Sequence, residues 1–113
     1  MKLLWLLMVG LSLTGSLLGE ENRKDGNHLL PGCRLADNEP HGSMEFFDAG
    51  YCVGVIHGVI RSSHRICTPE EVTVGQEIKV VLKYLQENPA TLQLDGADLT
   101  EQALANAFPC LKK

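Results

Sequence analysis

The residues best placed to do chemistry in this chain are four cysteines, Cys33, Cys52, Cys67 and Cys110, and four histidines, His28, His41, His57 and His64. A tetrahedral zinc site draws such ligands from short paired spacings, because neighbouring side chains must converge on one small ion. No C-x-x-C spacing occurs, and the four histidines are scattered without the paired spacing of a zinc site, so no metal set is expected. A thiol nucleophile paired with His57 or His64 needs one cysteine left free as a thiolate. An even cysteine count favours two disulfides instead, provided the chain reaches an oxidising compartment. Glu70 and Glu71 place two carboxylates just ahead of a helix start, where negative charge favours the helix dipole; that role outweighs general-base work. His57 falls in a mostly apolar stretch and reads as a hydrogen-bonded core histidine. No catalytic, cofactor-binding or metal-ligating constellation emerges, and the chain reads as a non-enzyme.

The oxidising compartment is written at the start of the chain. Met1 to Gly19 carries one charge, Lys2, ahead of a run of Leu, Met, Val and Trp, with small residues near Ser16 and Gly19. This is the pattern of a secretory signal, too short for a confident membrane span. Residues 1–19 are therefore expected to be a signal peptide and residues 20–113 a single exported domain of about 94 residues. The formal charge of −4 becomes one unit more negative once Lys2 is removed. An acidic chain without clustered Lys and Arg is a poor partner for nucleic acid or for a membrane surface, and suits a basic protein surface better.

The elements that must position these residues follow from pattern. Residues 20–42 are polar and punctuated by Gly26, Pro31, Gly32, Pro40 and Gly42; a short or kinked helix starting near Leu30 places Pro31 in a first turn, where its missing N–H costs nothing. From Met44 to Ile60, apolar residues surround Gly50, Gly54 and Gly58, whose four-residue steps form one helical stripe. Glycine weakens a helix by close to 1 kcal/mol against alanine, so three aligned glycines imply close packing by a neighbouring helix or by a second subunit. A helix apolar nearly all round is expected to be buried. Thr73 and Gln76 form a capping-box pattern that opens a helix over Val74 to Glu87, with Val74, Ile78, Val81, Leu82 and Leu85 inward. Asp95 caps a last helix from Gly96 to Phe108, with Leu99, Ala103, Leu104, Ala107 and Phe108 inward. The fold expected is all-α, a small disulfide-linked domain of four helices, completed as a dimer.

Four cysteines allow three pairings, and spacing alone does not choose. The last two helices, each on the order of 20 Å long and joined by a short loop, should pack antiparallel, which brings Cys67 and Cys110 to one end. One chain reversal likewise brings Cys33 to Cys52. The expected bonds are Cys33–Cys52 and Cys67–Cys110.

The run Cys52-Val53-Gly54-Val55-Ile56-His57-Gly58-Val59, then Cys67-Thr68-Pro69, Val72-Thr73-Val74-Gly75-Gln76, Tyr84-Leu85, Pro89, Ala97, Ala103-Leu104 and Ala107-Phe108-Pro109-Cys110, resembles the Rap/Tai family of type VI secretion immunity proteins. The resemblance implies a small helical periplasmic protein, often a homodimer, that binds a cell-wall amidase effector and blocks its active site. It implies no catalysis of its own. A polar loop presenting Thr91, Gln93 and Asp95 between rigid helices is the candidate surface for entering the enzyme cleft. The alternative is a periplasmic acid-stress chaperone or binding protein without an effector partner, whose four histidines and many carboxylates would let pH shift its charge.

Overall fold

The computed structural model describes residues 24–38 and 42–111; the expected signal segment and His41 lie outside them. Four α-helices follow one another: α1 (Gly26–Asp37), α2 (Ser43–Ser62), α3 (Val74–Glu87) and α4 (Gly96–Ala107), with a short 3-10 turn at Pro89–Thr91 between the last two. The all-α reading holds, and the only β-type pairings among the described residues are isolated bridges, Asp25 with Asp95 and Ile66 with Pro109.

Capping explains where α3 and α4 begin. The Gln76 N–H donates to Thr73 Oγ1 at 3.2 Å and the Thr73 N–H donates back to Gln76 Oε1 at 2.7 Å. This reciprocal pair satisfies backbone donors that no earlier turn can reach. Asp95 Oδ1 accepts from the N–H groups of Ala97 and Asp98 at 2.9 and 3.1 Å. Helix α4 stops at Ala107, one residue short of expectation, with Phe108 as its cap.

Helix α1 departs from expectation at its start. It begins at Gly26, not near Leu30, and Pro31 lies inside it. Asp25 Oδ1 accepts from the His28 N–H at 2.9 Å. The N–H groups of Gly26 and Asn27 donate to the carbonyls of Leu94 and Leu92, each at 3.0 Å. Donors left over at a helix start must find partners, and here the α3–α4 connection supplies them. That added turn offsets the ladder bond Pro31 removes. Contact is backbone to backbone: a Cβ at Gly26 would stand 2.9 Å from Leu92 O, and one at Gly96 2.8 Å from Lys24 O.

The core draws on every helix, with Leu29 and Cys33, Cys52 and Ile56, Val81 and Leu85, and Leu104 fully buried. Along α3, Ile78, Val81, Leu82 and Leu85 point inward as expected, whereas Val74 in the first turn is exposed. Along α4, Leu99, Ala103 and Leu104 are buried and Phe108 is half-buried. Ala107 is exposed, at the edge of a cleft between α3 and α4 that Val80, Tyr84 and Ala103 also line. Thr100, absent from the expected stripe, is fully buried and donates its hydroxyl to Gly96 O at 2.8 Å.

Helix α2 differs most from expectation. It buries one face only, Ala49, Cys52, Ile56 and Val59 at i, i+3, i+7 and i+10. Four helices are too few to surround it. Gly50, Gly54 and Gly58 line the opposite, exposed face, and a Cβ built on any of them meets no described atom within 4 Å. Close approach occurs instead at Gly32 of α1, whose Cβ would collide with the Asp48 carbonyl of α2, its carbon 3.2 Å away. The adjoining disulfide, Cys33–Cys52, has a Cα–Cα distance of 5.2 Å, and Cys67–Cys110 has one of 4.9 Å. Both are the expected pairings.

Candidate functional site

Helices α3 and α4 form an antiparallel hairpin fastened at both ends. At its base the Cys67–Cys110 disulfide is joined by the Cys67 N–H donating to Phe108 O at 2.9 Å. The Arg65 guanidinium donates to Glu101 Oε1 at 2.8 Å, an exposed pair that adds little energy but fixes the connector's path. At the tip, Thr91 donates its hydroxyl to Asn88 O at 3.0 Å, and the Leu94 N–H donates to Thr91 O at 3.0 Å. The tip is in turn held to the start of α1 through the carbonyls of Leu92 and Leu94.

This geometry divides the three loop residues singled out from sequence. Thr91 is half-buried, and it and Asp95 spend side-chain oxygens holding the loop and capping α4, whereas Gln93 is exposed at the turn. Leu94, which carries no signal in the sequence pattern, is 51% exposed beside it. Behind the tip lies a cleft of about 290 Å³ lined by Tyr84, Thr91, Leu94, Asp95, Asp98, Leu99 and Gln102. It combines an aromatic wall, an apolar floor and two carboxylates without a basic residue in its lining. Tyr84 and Asp98 come from different helices, so only the antiparallel pairing joins them.

The second surface is the open face of α2. Met44, Phe46 and Phe47 are 72%, 61% and 69% exposed near its N-terminal end, and the glycine stripe continues from them. Apolar residues concentrated in this way on one face of a helix mark a contact surface more often than scattered ones do. His57 sits on the rim of this face with its side chain 49% exposed, so it is not the core residue expected. Its Nε2 is 4.0 Å from Glu77 Oε2, and that oxygen is buried without a hydrogen-bond partner. Glu70 and Glu71 are exposed in the turn before α3. All four cysteines are disulfide-bonded, so none is available as a thiolate nucleophile. Among the described residues no helix is long and apolar enough to cross a membrane.

The described residues form a small all-α domain tied by two disulfides, with a fastened hairpin at one end and an open helix face. Its sequence matches the family model of Rap1a immunity proteins over residues 25–110. The chain belongs to that family. The matched span begins at the residue capping α1 and ends at the last cysteine, so it takes in all four helices and both disulfides. No curated protein and no solved structure matches the chain.

Proposed function

We propose that this protein acts in the periplasm as an immunity protein that binds a peptidoglycan amidase delivered by a type VI secretion system and covers the enzyme's active site. The family match over residues 25–110 carries this reading. The hairpin tip supports it physically: a loop already held by Thr91, Asp95 and the start of α1 loses little conformational freedom when it enters a cleft. Gln93 and Leu94 are its projecting side chains, one polar and one apolar. The test is to purify the protein with an amidase encoded beside its gene, then measure affinity and peptidoglycan hydrolysis. Tight binding with loss of hydrolysis is expected, and absence of any complex would refute the reading. Gln93→Arg combined with Leu94→Asp is expected to weaken binding by about 30-fold or more, the scale of one interface hot spot, with helicity unchanged. Full inhibition by that variant would move the contact elsewhere.

The reading includes a homodimer formed along the open face of α2. Each glycine of the stripe weakens the helix, and no described residue of the same subunit packs there in return. Two copies related by a two-fold axis would bring identical stripes together, as an isologous interface requires. Sedimentation at about 100 µM is expected to show a dimer, well above the dissociation constant of an ordinary interface of this kind. Gly54→Leu is expected to sediment as a monomer, with no loss of melting temperature at a protein concentration low enough for the wild type to be monomeric as well. A monomeric wild type, or a Gly54→Leu variant that remains dimeric, would contradict the interface.

A further inference from the structure

The two disulfides differ in what can reach them. Cys33 and Cys52 are both 0% exposed, sealed where α1 packs on α2. Cys67 is exposed and Cys110 is half-exposed at the outer end of the hairpin. Cys67 also forms part of the wall of an open cleft of about 460 Å³, completed by Pro69, Ala107, Phe108, Pro109 and Leu111. Leu111 is 90% exposed at its edge. Thiol–disulfide exchange requires a thiolate to reach one of the two sulfurs, so its rate depends on access. The inner bond becomes reachable only when α1 and α2 separate, whereas the outer one is reachable in the folded protein.

We propose that Cys67–Cys110 is a thiol–disulfide exchange site of the folded protein, addressed by a dithiol oxidoreductase that docks in the adjoining apolar cleft, while Cys33–Cys52 stays closed to it. The oxidoreductase's thiolate attacks Cys67 Sγ, the more exposed partner. A mixed disulfide forms as the Cys67–Cys110 bond breaks, and Cys110 leaves as a thiolate that takes a proton from solvent. The His64 carbonyl oxygen, 3.6 Å from Cys110 Sγ, is then in place to accept weakly from the new S–H. The second thiol of the oxidoreductase, once deprotonated, displaces Cys67, which is protonated in turn. Two electrons have passed to the cysteine pair and the oxidoreductase is left as a disulfide; the reverse sequence inserts the bond.

Opening this bond releases the covalent clip at the base of the hairpin. The Cys67 N–H to Phe108 O bond, the Ile66–Pro109 bridge and the Arg65–Glu101 pair remain, and Cys33–Cys52 still joins α1 to α2. The result is a folded protein with a looser hairpin base. That this loosening weakens effector binding rests on the proposed function; the exchange itself does not.

Thioredoxin, kept reduced enzymatically, serves as the probe on the oxidised full domain, with timed alkylation and mass spectrometry as the readout. Cys67 and Cys110 are expected to be alkylated at least about tenfold faster than Cys33 and Cys52, because only the inner pair waits for local opening. Far-UV circular dichroism is expected to hold steady while the outer pair reacts. A thioredoxin whose resolving cysteine is serine should be trapped on Cys67, and Leu111→Asp should slow thioredoxin but leave dithiothreitol unaffected. Equal rates for the two disulfides, trapping on another cysteine, or loss of helicity in step with alkylation would overturn the exchange site. An equal effect of Leu111→Asp on both reductants would overturn the docking cleft. Unchanged effector affinity after reduction of the outer bond would remove the link to recognition and leave the exchange site standing.

Discussion

Gly32→Val is expected to lower stability by about 3 kcal/mol and the melting temperature by roughly 12 °C or more, the upper range for overpacking in a domain of this size. Any Cβ at this position points at the Asp48 carbonyl, whose carbon would be 3.2 Å away and whose oxygen is nearer still. Backbone cannot rotate aside as a flexible side chain does, so α1 and α2 must separate. The next residue, Cys33, is bonded across the same contact to Cys52, so the separation is resisted where it is needed. Gly54→Ala is the matched control. Its Cβ meets no described atom within 4 Å, and the isolated subunit should gain up to about 1 kcal/mol from better helix propensity. Urea unfolding of both variants at low protein concentration checks the pair. A Gly32→Val variant within about 0.5 kcal/mol of wild type, the range of neutral surface changes, would show that the helices do not meet there.

Replacing Cys33 and Cys52 together with alanine is expected to cost about 4 to 5 kcal/mol. The chain-entropy model assigns about 3 kcal/mol to a bond spanning 19 residues, and the space left by two fully buried sulfurs adds roughly 1 to 2 kcal/mol. Small domains have a net stability of about 5 to 15 kcal/mol, so the variant should sit near the edge of folding, with a melting temperature lower by roughly 20 °C. The same model assigns about 4 kcal/mol to Cys67–Cys110, which spans 43 residues, but with half-exposed and exposed partners its removal opens no cavity. Calorimetry of both double variants decides between the terms. If the inner pair costs less than about 1 kcal/mol, neither loop entropy nor the packing of the two sulfurs contributes substantially to holding α1 against α2.

The parts of the fold legible in sequence are those whose causes lie close together along the chain. Thr73 and Gln76 sit one turn apart and delimit α3 by themselves, and Asp95 does the same for α4. The disulfide pairing is accessible because two short antiparallel helices leave Cys67 and Cys110 little choice. The start of helix α1 is hidden because its first donors are satisfied by Leu92 and Leu94, far away in sequence, and Pro31 offers a plausible local start instead. Gly50, Gly54 and Gly58 have a visible period, yet periodicity cannot say whether a neighbour belongs to the same chain. Gly32, which does meet a neighbouring backbone, has no repeat to announce it. At the candidate site Gln93 is legible as a polar turn residue. Leu94 and the cleft formed with Tyr84 and Asp98 are not, because they exist only after two helices have paired.

The bridge between Asp25 and Asp95 joins the caps of the first and last helices. A chain that emerges from its N-terminal end presents the residues of α1 long before the carbonyls of Leu92 and Leu94 can complete its first turn. Vectorial folding of an N-terminal portion is therefore disfavoured, and the helices are expected to lock together late, after nearly the whole domain has been released. Such non-local closure slows folding. On the periplasmic export proposed above, a chain that passes unfolded through a translocation channel before its cysteines pair gains from delayed closure, a kinetic advantage written into backbone topology.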